Sequence, residues 1–233
     1  MPVFPINNIT NFNNRISNTN SVSFGHKKEE KCPYSNKKKA VVAATSAIGT
    51  LASMAVLAKR ANKGSSYKNL FKNIASYWKN IEFHDKEIIT IGAGSCLGGL
   101  LGGYLVDKNP ENRKAKRRET IMQIGNISIP ILTVEACAKL TKKSKNIVKT
   151  LAACGGLIAG VYLANVLMNT LSDAIFKNNN DRGVKATDFS AHVDDMVVAA
   201  EYISNHPIIH GIARIIPVAL MIPGNEVGKK TVN

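Results

Sequence analysis

The chain alternates long apolar runs with short basic clusters. Ala40 to Ala58 is nineteen residues without a charge, with Lys37, Lys38 and Lys39 before it and Lys59 and Arg60 after it. As a helix this run would reach about 28 Å, close to the hydrocarbon thickness of a bilayer. Ile88 to Val106 is a second uncharged run. Thr120 to Ala138 is a weaker third, because it holds Gln123, Asn126, Pro130 and Glu135. Thr150 to Leu171 is the fourth, apolar apart from Asn165 and Asn169. Arg113, Lys114, Lys116, Arg117 and Arg118 fill one gap, and Lys139, Lys142, Lys143, Lys145 and Lys149 fill the next. Core helices of water-soluble proteins rarely run this long without charge, so the pattern predicts four membrane-spanning helices.

Other segments have a helical period with two unlike faces. From Tyr67 to Phe83, Tyr67, Leu70, Phe71, Ile74, Tyr77, Trp78 and Ile81 share a face, with Lys68, Lys72 and Lys79 opposite. Aromatic and basic residues so arranged suit a bilayer interface, with Tyr67, Phe71, Tyr77 and Trp78 as its anchors. A polar linker is expected over 173–186. Beyond it, Thr187 or Asp188 can cap a helix with Phe189, Val193, Met196, Val197, Ala200 and Ile203 on its apolar face. Asn205 can cap the next helix, Pro207 to Ile222, which Pro217 should kink and Pro223-Gly224 should end. The two make a C-terminal helical hairpin over 187–224, followed by a flexible tail over 225–233.

The expected architecture is therefore all-α: a polytopic membrane helical bundle over 40–172 with the interfacial helix 67–83 and the C-terminal hairpin. Residues 1–39 read as a disordered tail rich in Asn and Lys, with seven Asn between Asn7 and Asn20 and no apolar period. That composition is neither a secretory signal nor an Arg-rich presequence.

The second run contains GSCLGGLLGG, five glycines in ten positions. In water each interior glycine costs a helix about 1 kcal/mol relative to alanine. In lipid an unpaired amide costs more than that, so the backbone stays helical and the glycines become a groove for another backbone. Gly94, Gly98 and Gly102 form one row, and Gly99 and Gly103 a second beside it. Ala152, Gly156, Gly160 and Ala164 form a similar row on the fourth segment, and Thr45, Gly49 and Ser53 on the first. The pattern resembles the glycine zipper of many membrane proteins, which is a packing device and implies association. It suggests that the second and fourth segments cross closely, with the first beside them, or that copies of the chain associate.

Charge adds a partner. Thirty-one Lys and Arg against sixteen Asp and Glu leave a net charge of +15, placed in the gaps between apolar runs. That placement points to a lipid bilayer with anionic headgroups, or a membrane-protein partner, and to no specific nucleic acid. The basic residues divide almost evenly between the two sides, so the charge rule does not orient the chain. Cys32, Cys96, Cys137 and Cys154 form no CxxC pair and read as small packing residues.

Chemistry is thinly signalled. His192 and Asp195 share a helix face, and His206 and His210 have a spacing that can hold a metal. A metal site needs three or four convergent ligands, and the sequence supplies pairs. No cofactor or enzyme motif is present. The glycines of IGAGSCLGG lack the strand and the ribose-binding acid of a dinucleotide site. His210 and Arg214 are four apart in an otherwise apolar helix, where an ion needs a partner such as Asp194 or Glu201, or a route to the headgroups. Gln123, Asn126, Pro130 and Thr133 share one face of the third helix and can line a polar path or bond between helices. Glu135 is placed to pair with Lys139. The sequence thus predicts a multi-pass protein of a bacterial inner membrane or its equivalent, a non-catalytic scaffold or assembly factor. The alternative is a small transporter or channel component, with Arg214, His210 and the polar face of the third helix along its path. An intramembrane enzyme using His192, Asp195 and His210 is the third reading.

Overall fold

The computed structural model describes residues 33–61, 74–76, 84–177, 182–192 and 215–232. Every regular element among them is helical. Four long helices come first: α1 (Asn36–Ala61), α2 (Asp85–Val106), α3 (Pro110–Leu140) and α4 (Asn146–Phe176). A 3-10 helix (Ala186–His192), α5 (Ile216–Ala219) and α6 (Met221–Lys229) follow. All four long helices are long and apolar enough to cross a membrane. The interfacial segment 67–83 lies outside the described residues apart from Ile74–Ser76, which is helical. Tyr67, Phe71, Tyr77 and Trp78 are among the residues outside.

The helices overrun the apolar runs that predicted them. α1 starts at Asn36, inside the expected tail, and Tyr34 ahead of it is already buried. The basic stretch from Arg113 to Arg118 is not a loop but the first third of α3. Asn109 caps that helix, its side chain accepting from the Glu111 amide at 2.9 Å, with Pro110 in the first turn. Lys177 ends α4 in a left-handed conformation, φ 50°. Hydroxyls inside α1 bond back to the backbone: Ser46 to the Val42 carbonyl at 2.9 Å and Thr50 to the Ser46 carbonyl at 3.1 Å.

Both glycine rows of α2 are occupied, each by a different helix. An added Cβ at Gly94 would meet Ser53 and Gly49, at Gly98 Thr45 and Gly49, and at Gly102 Thr45 and Val42. Rising numbers on α2 meet falling numbers on α1, so the two run antiparallel. On the other row, Gly99 faces Gly224, and Gly103 faces Gly228 and the Lys116 side chain. Here the numbers rise together, and α6 runs parallel to α2. α4 packs on α3: Gly156 faces Thr133 and Cys137, and Gly160 faces Pro130 and Thr133. Thr133 Oγ1 donates across this contact to the Gly156 carbonyl at 2.9 Å. The close crossing expected between the second and fourth segments is replaced by these pairings. Small-residue rows are interchangeable to the eye, and each of these rows is covered within the chain.

The C-terminal segment departs furthest from expectation. α6 runs through Pro223 and Gly224 to Lys229 instead of ending there, so residues 225–229 are helix, not tail. Pro223 sits in the first turn of α6, where its missing N–H has no ladder bond to make. Its i−4 position is Ala219, where α5 stops. Pro217 lies in the first turn of α5 and does not kink a longer described helix. Ile216, Leu220 and Val227 join Met54, Leu57, Ile88, Ile91, Cys96, Ile127 and Ile131 in the apolar core. The expected hairpin over 187–224 is described only at its two ends; residues 193–214 lie outside the described residues.

Depth follows from the contacts with α3. Arg182 meets Glu119, and His192 meets Asn126, seven residues or about 10 Å further along the helix. Lys230 returns to Lys116. Arg182 and Lys230 thus lie toward the α2–α3 end of the bundle, and His192 lies deeper.

Candidate functional site

Among the described residues, two ionic clusters lie inside the bundle on one stripe of α3. Lys116, Glu119, Gln123 and Asn126 recur at intervals of three or four residues, and all are buried.

The first cluster closes the end of the bundle. The Lys116 side chain is fully buried, and its stem lies over Gly103, where a Cβ would stand 2.7 Å from its Cδ and Cε. Its ammonium donates to the Lys230 carbonyl at 2.6 Å and to Tyr34 Oη at 2.7 Å, and pairs with Asp107 Oδ2 at 3.5 Å. The Tyr34 hydroxyl donates to the same carboxylate oxygen at 2.5 Å, as does Asn112 Nδ2 at 2.8 Å. Asp107 Oδ1 accepts from the Asn109 amide at 2.9 Å, an Asx turn that fixes the α2–α3 connection. Burial works against this carboxylate. The Tyr34 hydroxyl, the Asn109 and Asn112 donors and the Lys116 charge outweigh it and hold its pKa at about 2, against 3.8 for an ordinary aspartate.

The second cluster centres on Arg182, which the sequence places in a polar linker. Its guanidinium is buried between two carboxylates, Glu119 at 3.0 Å and Asp188 at 2.5 Å. Burial opposes its charge, and the two acids more than offset that, so its pKa is raised further. The Arg182 backbone exchanges two 2.9 Å bonds with the Asn169 side chain, and Asn169 Nδ2 also reaches Asn165 Oδ1 at 3.1 Å. Gln123 donates to Glu119 at 3.0 Å. Asp188 Oδ2 accepts from the Lys185 amide at 2.8 Å, an N-terminal bond of the 3-10 helix.

His192 completes the second cluster. It is fully buried, and its Nε2 lies 2.7 Å from the Asn126 carbonyl oxygen. The geometry assigns the proton to Nε2. Pro130 lacks the N–H that this carbonyl would otherwise receive from the next turn, and the histidine takes that place. Among the described residues the Asn126 side chain has no partner on either polar atom.

Of the metal candidates, only His192 is described; Asp195, His206 and His210 lie outside the described residues, as does Arg214. Among the described residues no three His, Cys, Asp or Glu side chains gather as a metal site. Glu135 and Lys139 form the expected helical pair at 2.7 Å. Asp107, Glu119 and Arg182 were not singled out by sequence. Lys116 was read only as one of a basic cluster, and Asp188 as the cap of a helix that in fact begins earlier, at Ala186. Continuing the Gln123–Asn126 stripe by two turns nevertheless reaches Glu119 and Lys116. Chemically, both clusters are ties to α3: Lys116 holds the Lys230 carbonyl by a charge-assisted hydrogen bond, and Glu119 holds Arg182 by an ion pair. No protein-family model matches the chain, and neither a curated protein nor a solved structure matches it.

Proposed function

We propose that the chain is a multi-pass integral membrane protein with a non-catalytic role, a scaffold or assembly factor contacting anionic lipid or partner proteins. One observation carries this reading: a set of ionised side chains is buried between the long helices while many large apolar side chains face outward. Ile48, Leu97, Leu101, Leu105, Leu132 and Ile158 are all exposed on the long helices, while Lys116, Glu119, Arg182 and Asp188 are buried. Water does not favour a surface of that kind over several helices, and hydrocarbon does. The buried ions bond to one another and to backbone, which suits a fixed frame better than a reacting centre.

Sidedness of labelling tests the reading. With Cys32, Cys96, Cys137 and Cys154 replaced by alanine, Ser35→Cys and Val232→Cys should react with an impermeant thiol reagent from one side of sealed vesicles, and Ser144→Cys from the other. Equal reaction of all three from outside, with release of the chain by alkaline washing, would reject it.

A second reading, a small transporter or channel component, is favoured by buried polar atoms on facing helices that have no partner among the described residues: both ends of the Asn126 amide, Asn165 Nδ2 and Ser172 Oγ. Solute flux in proteoliposomes that disappears in Asn126→Leu would move the assignment there.

A further inference from the structure

We propose that the α3–α4 turn is a docking element for anionic lipid headgroups, with Lys142, Lys143 and Lys145 as its cations. This rests on the membrane reading above.

The turn is built, not slack. Thr141 N–H and Oγ1 both bond to the Cys137 carbonyl, at 3.0 Å and 2.8 Å. The Ser144 amide donates to the Thr141 carbonyl at 2.8 Å, and the Lys145 carbonyl receives the Val148 and Lys149 amides at 2.9 Å and 3.1 Å. The three lysines are therefore presented together on a fixed backbone. No ion pair involves them among the described residues, and the sequence carries no Asp or Glu from Ala136 to Ser172. Glu135, the acid just before the turn in sequence, pairs with Lys139 at 2.7 Å.

The opposite end of the bundle is different in kind. There Lys116 is matched by Asp107, Arg118 by Asp173 at 3.3 Å, Arg182 by Glu119 and Asp188, and Lys185 by Glu226 at 3.9 Å. Among the described residues, ion pairs thus match much of the charge at that end and none reaches Lys142, Lys143 or Lys145.

Apolar neighbours decide which anion fits. Leu140 is 86% exposed, the highest among the large apolar side chains described, and Ile147 is 65% exposed. Both flank the lysines at the helix ends. Apolar side chains below a layer of ammonium groups match acyl chains below a layer of phosphates. A nucleic acid would call for aromatic platforms, and residues 139–149 contain no aromatic.

The test uses the full chain reconstituted in vesicles of equal parts phosphatidylcholine and phosphatidylglycerol, and in phosphatidylcholine alone. After gentle detergent extraction, the ratio of the two lipids retained on the protein is measured. Wild type should retain phosphatidylglycerol in excess. K142Q/K143Q/K145Q should lose most of that preference, and the triple arginine variant should keep it. Equal preference in wild type and the glutamine variant, or its loss in both triple variants, would overturn the proposal. So would absence of lipid preference with binding of single-stranded RNA through the same lysines. A chain that alkaline washing strips from both vesicle types fails the membrane reading itself. A chain that stays in both but shows no lipid preference fails only this inference.

Discussion

His192 Nε2 bonds to the carbonyl oxygen of Asn126 at 2.7 Å, filling the place that Pro130 leaves vacant in the α3 ladder. A proline inside a helix normally leaves one carbonyl without its i+4 donor. Here a buried imidazole from another segment supplies the donor, so the break in α3 and the docking of the 3-10 helix depend on each other.

That dependence can be measured as a coupling. His192→Ala should destabilise the chain by about 1–3 kcal/mol, the cost of orphaning a buried carbonyl. In a Pro130→Ala background α3 can make its own bond, and the same His192→Ala change should cost less. A double-mutant cycle by denaturant titration in detergent should give an interaction of about 0.5–3 kcal/mol. Strict additivity would show that the histidine and the proline are unrelated.

Arg182 bridges two buried carboxylates, Glu119 at 3.0 Å and Asp188 at 2.5 Å. Arg182→Ala should cost about 3–5 kcal/mol, because Glu119 and Asp188 would remain buried as unmatched charges. Replacing all three together, as E119Q/R182M/D188L, should recover much of that loss. Thermal unfolding of the single and triple variants separates the two states. A triple variant less stable than Arg182→Ala would mean that the cluster does more than balance its own charges.

The glycines divide by what faces them. An added methyl at Gly98 would strike the Thr45 carbonyl, and at Gly99 the Gly224 carbonyl, both backbone atoms that cannot step aside. Gly98→Ala and Gly99→Ala should each cost about 1–3 kcal/mol by overpacking. Gly155 has nothing within 4 Å of the same methyl, and Gly155→Ala should stay within about 0.5 kcal/mol of wild type. Chemical unfolding of the three variants side by side checks the contrast.

Asp107 predicts an acid limb. Its folded pKa of about 2 lies below the ordinary 3.8, so its ionised form is favoured by folding. That stabilisation is complete above the ordinary value and is lost as pH falls through about 4 toward about 2. The melting temperature of wild type should drop across that window, and Asp107→Asn should start lower and fall less. Parallel curves for the two proteins would remove Asp107 as the source.

Much of the fold could be read in the chain, and little of the polar interior. The four long helices were legible because an uncharged run of about twenty residues has few other uses. Their partners were not. The rows at Gly94–Gly102 and Gly156–Gly160 carry the same small residues, and only three-dimensional packing decides that one meets Thr45 and the other Thr133. Lys116 and Arg182 were hidden by their neighbours. Each stands in a polar stretch, Lys116 among basic residues and Arg182 beside asparagines, where one cation looks like the next. The legible clue was periodic: the Gln123–Asn126 face continues to Glu119 and Lys116 at helical spacing. Pro223-Gly224 misled because a turn signature and the first turn of a helix use the same residues.

The second glycine row gives α2 a delayed partner. Gly224 follows Gly99 by 125 positions, so a growing chain holds α1 to α4 well before the helix that shields Gly99 and Gly103 has been made. In that interval a strip of bare backbone faces outward. The assembly is therefore closed by its late-arriving helix, as a keystone closes an arch, and any lesion that stops α6 from seating leaves the gap open to whatever small-residue helix passes by.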